Sequence, residues 1–110
     1  MKTFNNVLNK ILTFFRLKSR QQLKTFKDLE FEEMVSPLMS GKRARIHFPN
    51  GFGASVVSNT FSYGGKNGLY ELAVLFQDEI HYDNPVANGD VIGHLKEETV
   101  TELLIKIQQL

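Results

Sequence analysis

RARIHFPNGFGASVV, residues 43–57, decides how this chain folds. Its period is two: Arg43, Arg45 and His47 fall on one side of an extended segment, and Ala44, Ile46 and Phe48 on the other. Pro49-Asn50-Gly51 stops the run, and Asn-Gly predicts a type I′ turn because both residues tolerate positive φ. Phe52 to Val57 should therefore return antiparallel, which makes the nucleus of the fold a β-hairpin.

Downstream, FSYGGKNGLYELAVLF (61–76) places Gly64, Gly65 and Gly68 immediately before an apolar segment. A phosphate cradle needs its glycines ahead of a helix N-terminus, where backbone amides and the dipole do the binding. Here they precede a strand, so the segment reads as a hairpin connection with positive-φ residues, from which Phe61, Tyr63 and Lys66 project on a mobile loop. Leu69 to Phe76 is apolar on nearly both faces and reads as a central strand. Gln77-Asp78 is a short polar turn into a half-exposed strand, Glu79 to Asp83. Asn84-Pro85 and Asn88-Gly89-Asp90 form a loop, with Val91-Ile92 as a short edge. KEETVTELLIKIQQL closes the chain as an amphipathic helix, with Val100, Leu103, Leu104 and Ile107 on one stripe and Glu97 and Glu98 in the first turn, where they suit the helix dipole.

Upstream, Phe4, Val7, Leu8, Ile11 and Phe14 or Phe15 recur at three and four residues, which predicts an additional N-terminal amphipathic helix. KSRQQLKTFKDLEFEEM (18–34) reads as a continuation of that helix or as a linker, ending at Pro37, Ser40 and Gly41. The expected architecture is α+β: an antiparallel sheet of four to five strands, a meander of hairpins, packed by the C-terminal helix. The expected organisation is a basic helical arm, residues 1–24, ahead of a single domain, residues 25–110.

The charges are divided along the chain. Residues 1–27 hold seven Lys and Arg and no acid, whereas residues 28–110 hold the other six against all twelve Asp and Glu. The arm, with Lys10, Arg16, Lys18 and Arg20, admits three readings: packing on the body or on a second subunit, contact with nucleic acid, or contact with an anionic membrane surface. No apolar run approaches the roughly 18 residues of a membrane span, and Val7 to Leu17 is too interrupted for a secretory signal. The chain contains no cysteine, so it has no disulfide, no thiol nucleophile and no Cys-based zinc site, and the cytosol is the expected compartment.

Sites of chemistry are scarce. His47, His81 and His94, with Asp83 and Asp90, match no metal-ligand spacing. Nothing in the sequence pairs Glu79, Asp83 and Asp90 as acid and base, and Ser55, Ser58 and Ser62 lack a nucleophile elbow. No catalytic residue, metal or cofactor is expected. Partner-binding candidates are Phe61, Tyr63 and Lys66 on the glycine-rich loop, and Arg43 and Arg45, whose other role is to protect a strand edge.

Three blocks, NGFGASVV (50–57), SYGGKNGLYELAVL (62–75) and IHYDNPVANGDVIGHLKEETVTELLIKI (80–107), resemble a family of small uncharacterised proteins of tailed bacteriophages. The resemblance covers Thr25 to Leu110 and departs at Asn84, where relatives favour Thr, and at VANGD, one residue longer than theirs. It implies a phage accessory protein in a bacterial host cytoplasm, a binder that inhibits, diverts or shields a host protein, including defence components such as CRISPR effectors. The resemblance carries over no catalytic residue. Nucleic-acid binding through the basic arm is the alternative, and a homodimer through the arm's apolar stripe is also compatible.

Overall fold

A computed structural model describes residues 23–110. The N-terminal helix expected over the arm, and its Lys10, Arg16, Lys18 and Arg20, lie outside the described residues. The described part is α+β: an antiparallel sheet with one helix against it. Its strands are β1 (Glu32–Val35), β2 (Ser40–His47), β3 (Phe52–Asn59), β4 (Tyr70–Phe76), β5 (Glu79–Ile80) and β6 (Ile92–Leu95), followed by α1 (Glu97–Gln108). The order is β1-β2-β3-β4-β5, and β6 also pairs with β4.

The central hairpin forms in the expected register, with Ala44 opposite Val56 and Ile46 opposite Ala54. Its turn differs from expectation. Gly51 is left-handed at φ 88, but Asn50 has no positive φ, and the bonds are Gly51 N–H to the Phe48 carbonyl (3.1 Å) and Phe48 N–H to the Phe52 carbonyl (2.8 Å). This is a three-residue loop with a bulged glycine rather than a two-residue type I′ turn. Proline explains the change: a two-residue turn would need Pro49 to donate an N–H, which it lacks, so Phe48 closes the hairpin instead. Positive φ at two successive residues occurs at the β4–β5 turn, in Gln77 (φ 50) and Asp78 (φ 71).

Residues 24–35 hold neither the helix continuation nor the linker that the sequence suggests. A single 3₁₀ turn, Phe26–Asp28, leads into edge strand β1. Glu32 and Glu33 are poor strand formers, but pairing sets them opposite Arg43 and Lys42. Phe26, Phe31 and Tyr70 gather with ring centroids 5.1–5.7 Å apart, and the Lys42 ammonium lies 4.8 Å from the Phe31 centroid. The incoming chain is clasped to α1: Lys24 N–H donates to Gln108 Oε1 (2.8 Å), Gln108 Nε2 donates to the Lys24 carbonyl (2.9 Å), and Phe26 N–H donates to Thr101 Oγ1 (3.0 Å).

Helix α1 buries the expected stripe, Val100, Leu103, Leu104 and Ile107, against Ala44, Ala54, Val56, Leu72 and Val74. Each large aliphatic side chain buried this way contributes about 1.5–3 kcal/mol of transfer free energy. The opposite sheet face carries Arg43, Arg45 and His47 on β2, with Ser55 and Val57 beside them on β3.

Strand β5 is shorter than expected, and the segment after it holds a strand longer than the expected Val91-Ile92 edge. β5 pairs with Leu75 and Phe76, whereas β6 pairs with Tyr70 and Leu72 across a bulge, both on the edge of β4 that β3 leaves free. They are two halves of one interrupted strand. Residues 81–91 loop out between them because Asn84, 6% exposed, turns the backbone. Its Oδ1 accepts the N–H groups of Val86 (3.0 Å) and Ala87 (2.8 Å), and its Nδ2 donates to the His81 carbonyl (2.7 Å). Ala87 and Val86 are thereby folded into the core.

Candidate functional site

The β1–β2 turn and the β3–β4 loop emerge at the same end of the sheet, because β1 and β3 run toward it and β2 and β4 away from it. Two bonds stitch them together: Ser40 N–H to Thr60 Oγ1 (3.2 Å) and Thr60 N–H to the Ser40 carbonyl (3.1 Å). On this pair stand Val35 (82% exposed), Leu38 (83%), Phe61 (72%) and Tyr63 (58%). Phe61 and Tyr63 alone leave on the order of 300 Å² of aromatic side chain in water, which is the size of the largest apolar patch on an ordinary monomer. An open groove of about 390 Å³ lies alongside, between Val35, Lys42 and Ser58.

The glycine-rich segment connects a hairpin, as its sequence indicates, with Gly64 (φ 90) and Gly68 (φ 72) in the left-handed region around a 3₁₀ turn, Gly65–Asn67. It is tied down on both sides. Asn59 Oδ1 accepts the N–H groups of Phe61 (2.9 Å) and Ser62 (2.8 Å), Ser62 Oγ accepts the Asn59 N–H (2.8 Å), and Ser58 Oγ donates to the Leu69 carbonyl (2.9 Å). Tyr63 N–H donates to Glu71 Oε2 (2.7 Å), and the Tyr63 carbonyl accepts His94 N–H (3.0 Å). Phe61, Tyr63 and exposed Lys66 thus stand on a well-bonded platform, with their backbone positions set before any partner arrives.

The β6 bulge completes the platform. Gly93 lies so close under Tyr63 that any Cβ would collide with the tyrosine side chain, and His94 adopts φ 55 and stacks on the Tyr63 ring at 6.5 Å with an interplanar angle of 29°. A left-handed histidine in a strand costs of order 1 kcal/mol and persists where its surroundings demand it.

Arg43 and Arg45 stand apart from this crest, on the open sheet face. Arg45 Nη1 bonds Asp78 Oδ1 (3.1 Å), and His47 Nε2 lies 3.4 Å from the same oxygen. Arg43 sits in a cross-strand row between Glu32 and Val57, with Glu71 next beyond.

The three histidines occupy three places. His47 is beside Asp78 on the open face, and His94 is at the crest. His81 packs against Phe52 (5.9 Å, 86°) and Phe76 (5.6 Å) with its Nδ1 buried and unbonded. Among the described residues no three His, Asp or Glu side chains are grouped to hold a metal, and no helix is long and apolar enough to cross a membrane. Ser58 and Ser62 spend their hydroxyls on loop carbonyls.

The sequence singled out Phe61, Tyr63 and Lys66 but not Val35 and Leu38, which the fold sets at the same end of the sheet. The available signal was the apolar Leu38-Met39 in a stretch punctuated by Pro37 and Ser40, where a solvated turn is ordinarily polar. Comparisons with protein-family models, with curated proteins and with solved structures each find no match to this chain.

Proposed function

We propose that this protein is a small non-enzymatic binding module, a bacteriophage accessory protein that acts in the host cytoplasm by binding a host protein and inhibiting or modulating it, as an anti-CRISPR-like counter-defence component does. The observation that carries this reading is the crest: four large apolar side chains, each more than half exposed, at one end of the sheet, Val35 at the end of β1 and the other three on two loops stitched to one another and to the sheet. Preformed aromatic anchors of this kind supply most of the energy of protein interfaces, since little conformational freedom is lost when they dock. Lys66 at the rim adds a charge that favours an acidic partner surface. The dispersal of His47, His81 and His94 and the structural use of the loop serines favour a binder over an enzyme.

The test is an affinity pull-down from a bacterial host lysate, with and without nuclease, using the full chain and a Phe61→Ala/Tyr63→Ala variant. The expected outcome is a discrete host protein, retained despite nuclease, for which the affinity falls at least tenfold in the variant while the variant keeps the amide spectrum of the folded chain outside the Tyr63–His94 contact. Retention that vanishes with nuclease and leaves the variant unaffected would replace this reading with nucleic-acid binding led by Lys10, Arg16, Lys18 and Arg20.

A further inference from the structure

A second apolar patch differs from the crest in its charge. Ile80 (49% exposed) and Tyr82 (48% exposed) stand on β5 and the loop after it. The surrounding segment, residues 77–91, holds Asp78, Glu79, Asp83 and Asp90 and no Lys or Arg. All four acids are exposed, and among the described residues only Asp78 has a salt-bridge partner, Arg45, with His47 Nε2 3.4 Å from the same oxygen. Residues 1–22 have the opposite character: five Lys and Arg, no acid, and an apolar stripe that includes Val7, Leu8 and Ile11.

The chain also arrives at the right end of the molecule. Lys24 is clasped to Gln108 at the C-terminal end of α1. From that same end the Ile107 carbonyl accepts Asn50 Nδ2 (2.9 Å), and the neighbouring Gly51 carbonyl accepts Gln77 N–H (3.1 Å) at the turn that opens β5. The exit of the arm and the start of the acidic edge are therefore linked by two short contacts. Residues 1–22 are long enough to lie along the edge, since even at helical rise they would span about 33 Å.

We infer that residues 1–22 dock within the same chain on the β5–β6 edge, the apolar stripe covering Ile80 and Tyr82 and the basic side chains facing Glu79, Asp83 and Asp90. The edge suits the arm better than the crest does, because residues 77–91 hold four acids and no Lys or Arg, whereas the crest segments, 34–42 and 59–70, carry Lys42 and Lys66, flanked by Glu33 at the groove and by Glu71, which accepts the Tyr63 N–H. Docking would also cover the free edge of β5, an exposed strand edge that otherwise invites pairing with another chain. The assignment is independent of the partner proposed for the crest.

Because the chain has no cysteine, a single Thr13→Cys substitution in the full-length protein accepts one nitroxide label. Amide signals of the ¹⁵N-labelled chain are compared with the nitroxide oxidised and reduced. The expected result is at least a twofold loss of intensity over residues 79–83 with residues 61–66 unaffected, and recovery of those signals in a Glu79→Arg/Asp83→Arg variant whose spectrum otherwise remains that of the folded chain. Broadening centred on residues 61–66, or none over 77–91, overturns the inference. So does broadening over 79–83 that arises only when unlabelled nitroxide-bearing chain is mixed with ¹⁵N chain, which would place the arm on a second copy.

Discussion

The crest loop and the β5–β6 loop are ordered by the same device and left with opposite characters. In each, an asparagine side chain accepts two backbone N–H groups just downstream, Asn59 from Phe61 and Ser62, and Asn84 from Val86 and Ala87, as Asx-type turns do. Asn84 is buried and also donates to the His81 carbonyl, so it fastens its loop into the core, whereas Asn59 is half-buried and fastens its loop along the sheet end. The first loop then presents aromatics with Lys66, and the second an aromatic among acids. A shared solution for loop order leaves surface charge free to assign each patch a different occupant.

Substitutions that remove each device separately test this comparison. Asn84→Ala should have the largest effect, a loss of about 3 kcal/mol in urea unfolding, since buried N–H and carbonyl groups are left without partners. The crest amides should keep their chemical shifts. Asn59→Ala should cost less, about 1–2 kcal/mol, because water reaches the freed groups, yet it should weaken capture of a crest partner that Asn84→Ala leaves intact. Equal costs for the two would remove the distinction between a core fastener and a surface one. Arg45→Ala should change stability by at most about 0.5 kcal/mol, because its pair with Asp78 is exposed on both sides. A larger loss would mean that the left-handed Gln77-Asp78 turn depends on that pair.

Much of the fold was legible because its signals are local. The period of two in Arg43 to Phe48, the apolar run of β4 and the stripe of α1 each declare an element without reference to anything distant. Strand β1 was not legible, since Glu32 and Glu33 read as polar linker until Arg43 and Lys42 stand opposite them. The hairpin turn departs from the Asn50-Gly51 expectation because of Pro49, whose missing N–H excludes the two-residue closure. Of the crest, the aromatics flanking glycine could be found from the chain alone, but Val35 and Leu38 lie more than twenty residues earlier.

By itself the sequence determined the class of fold, the hairpin at its centre, the buried stripe of α1 and the division of charge between arm and body, since each depends on residues within a few positions of one another. Only the tertiary structure decided which loops meet at one end of the sheet, that β5 and β6 are one strand interrupted by Asn84, and that Gly93 and His94 support Tyr63. Those features depend on strand register, which joins residues far apart in the chain through hydrogen bonds that local pattern does not encode.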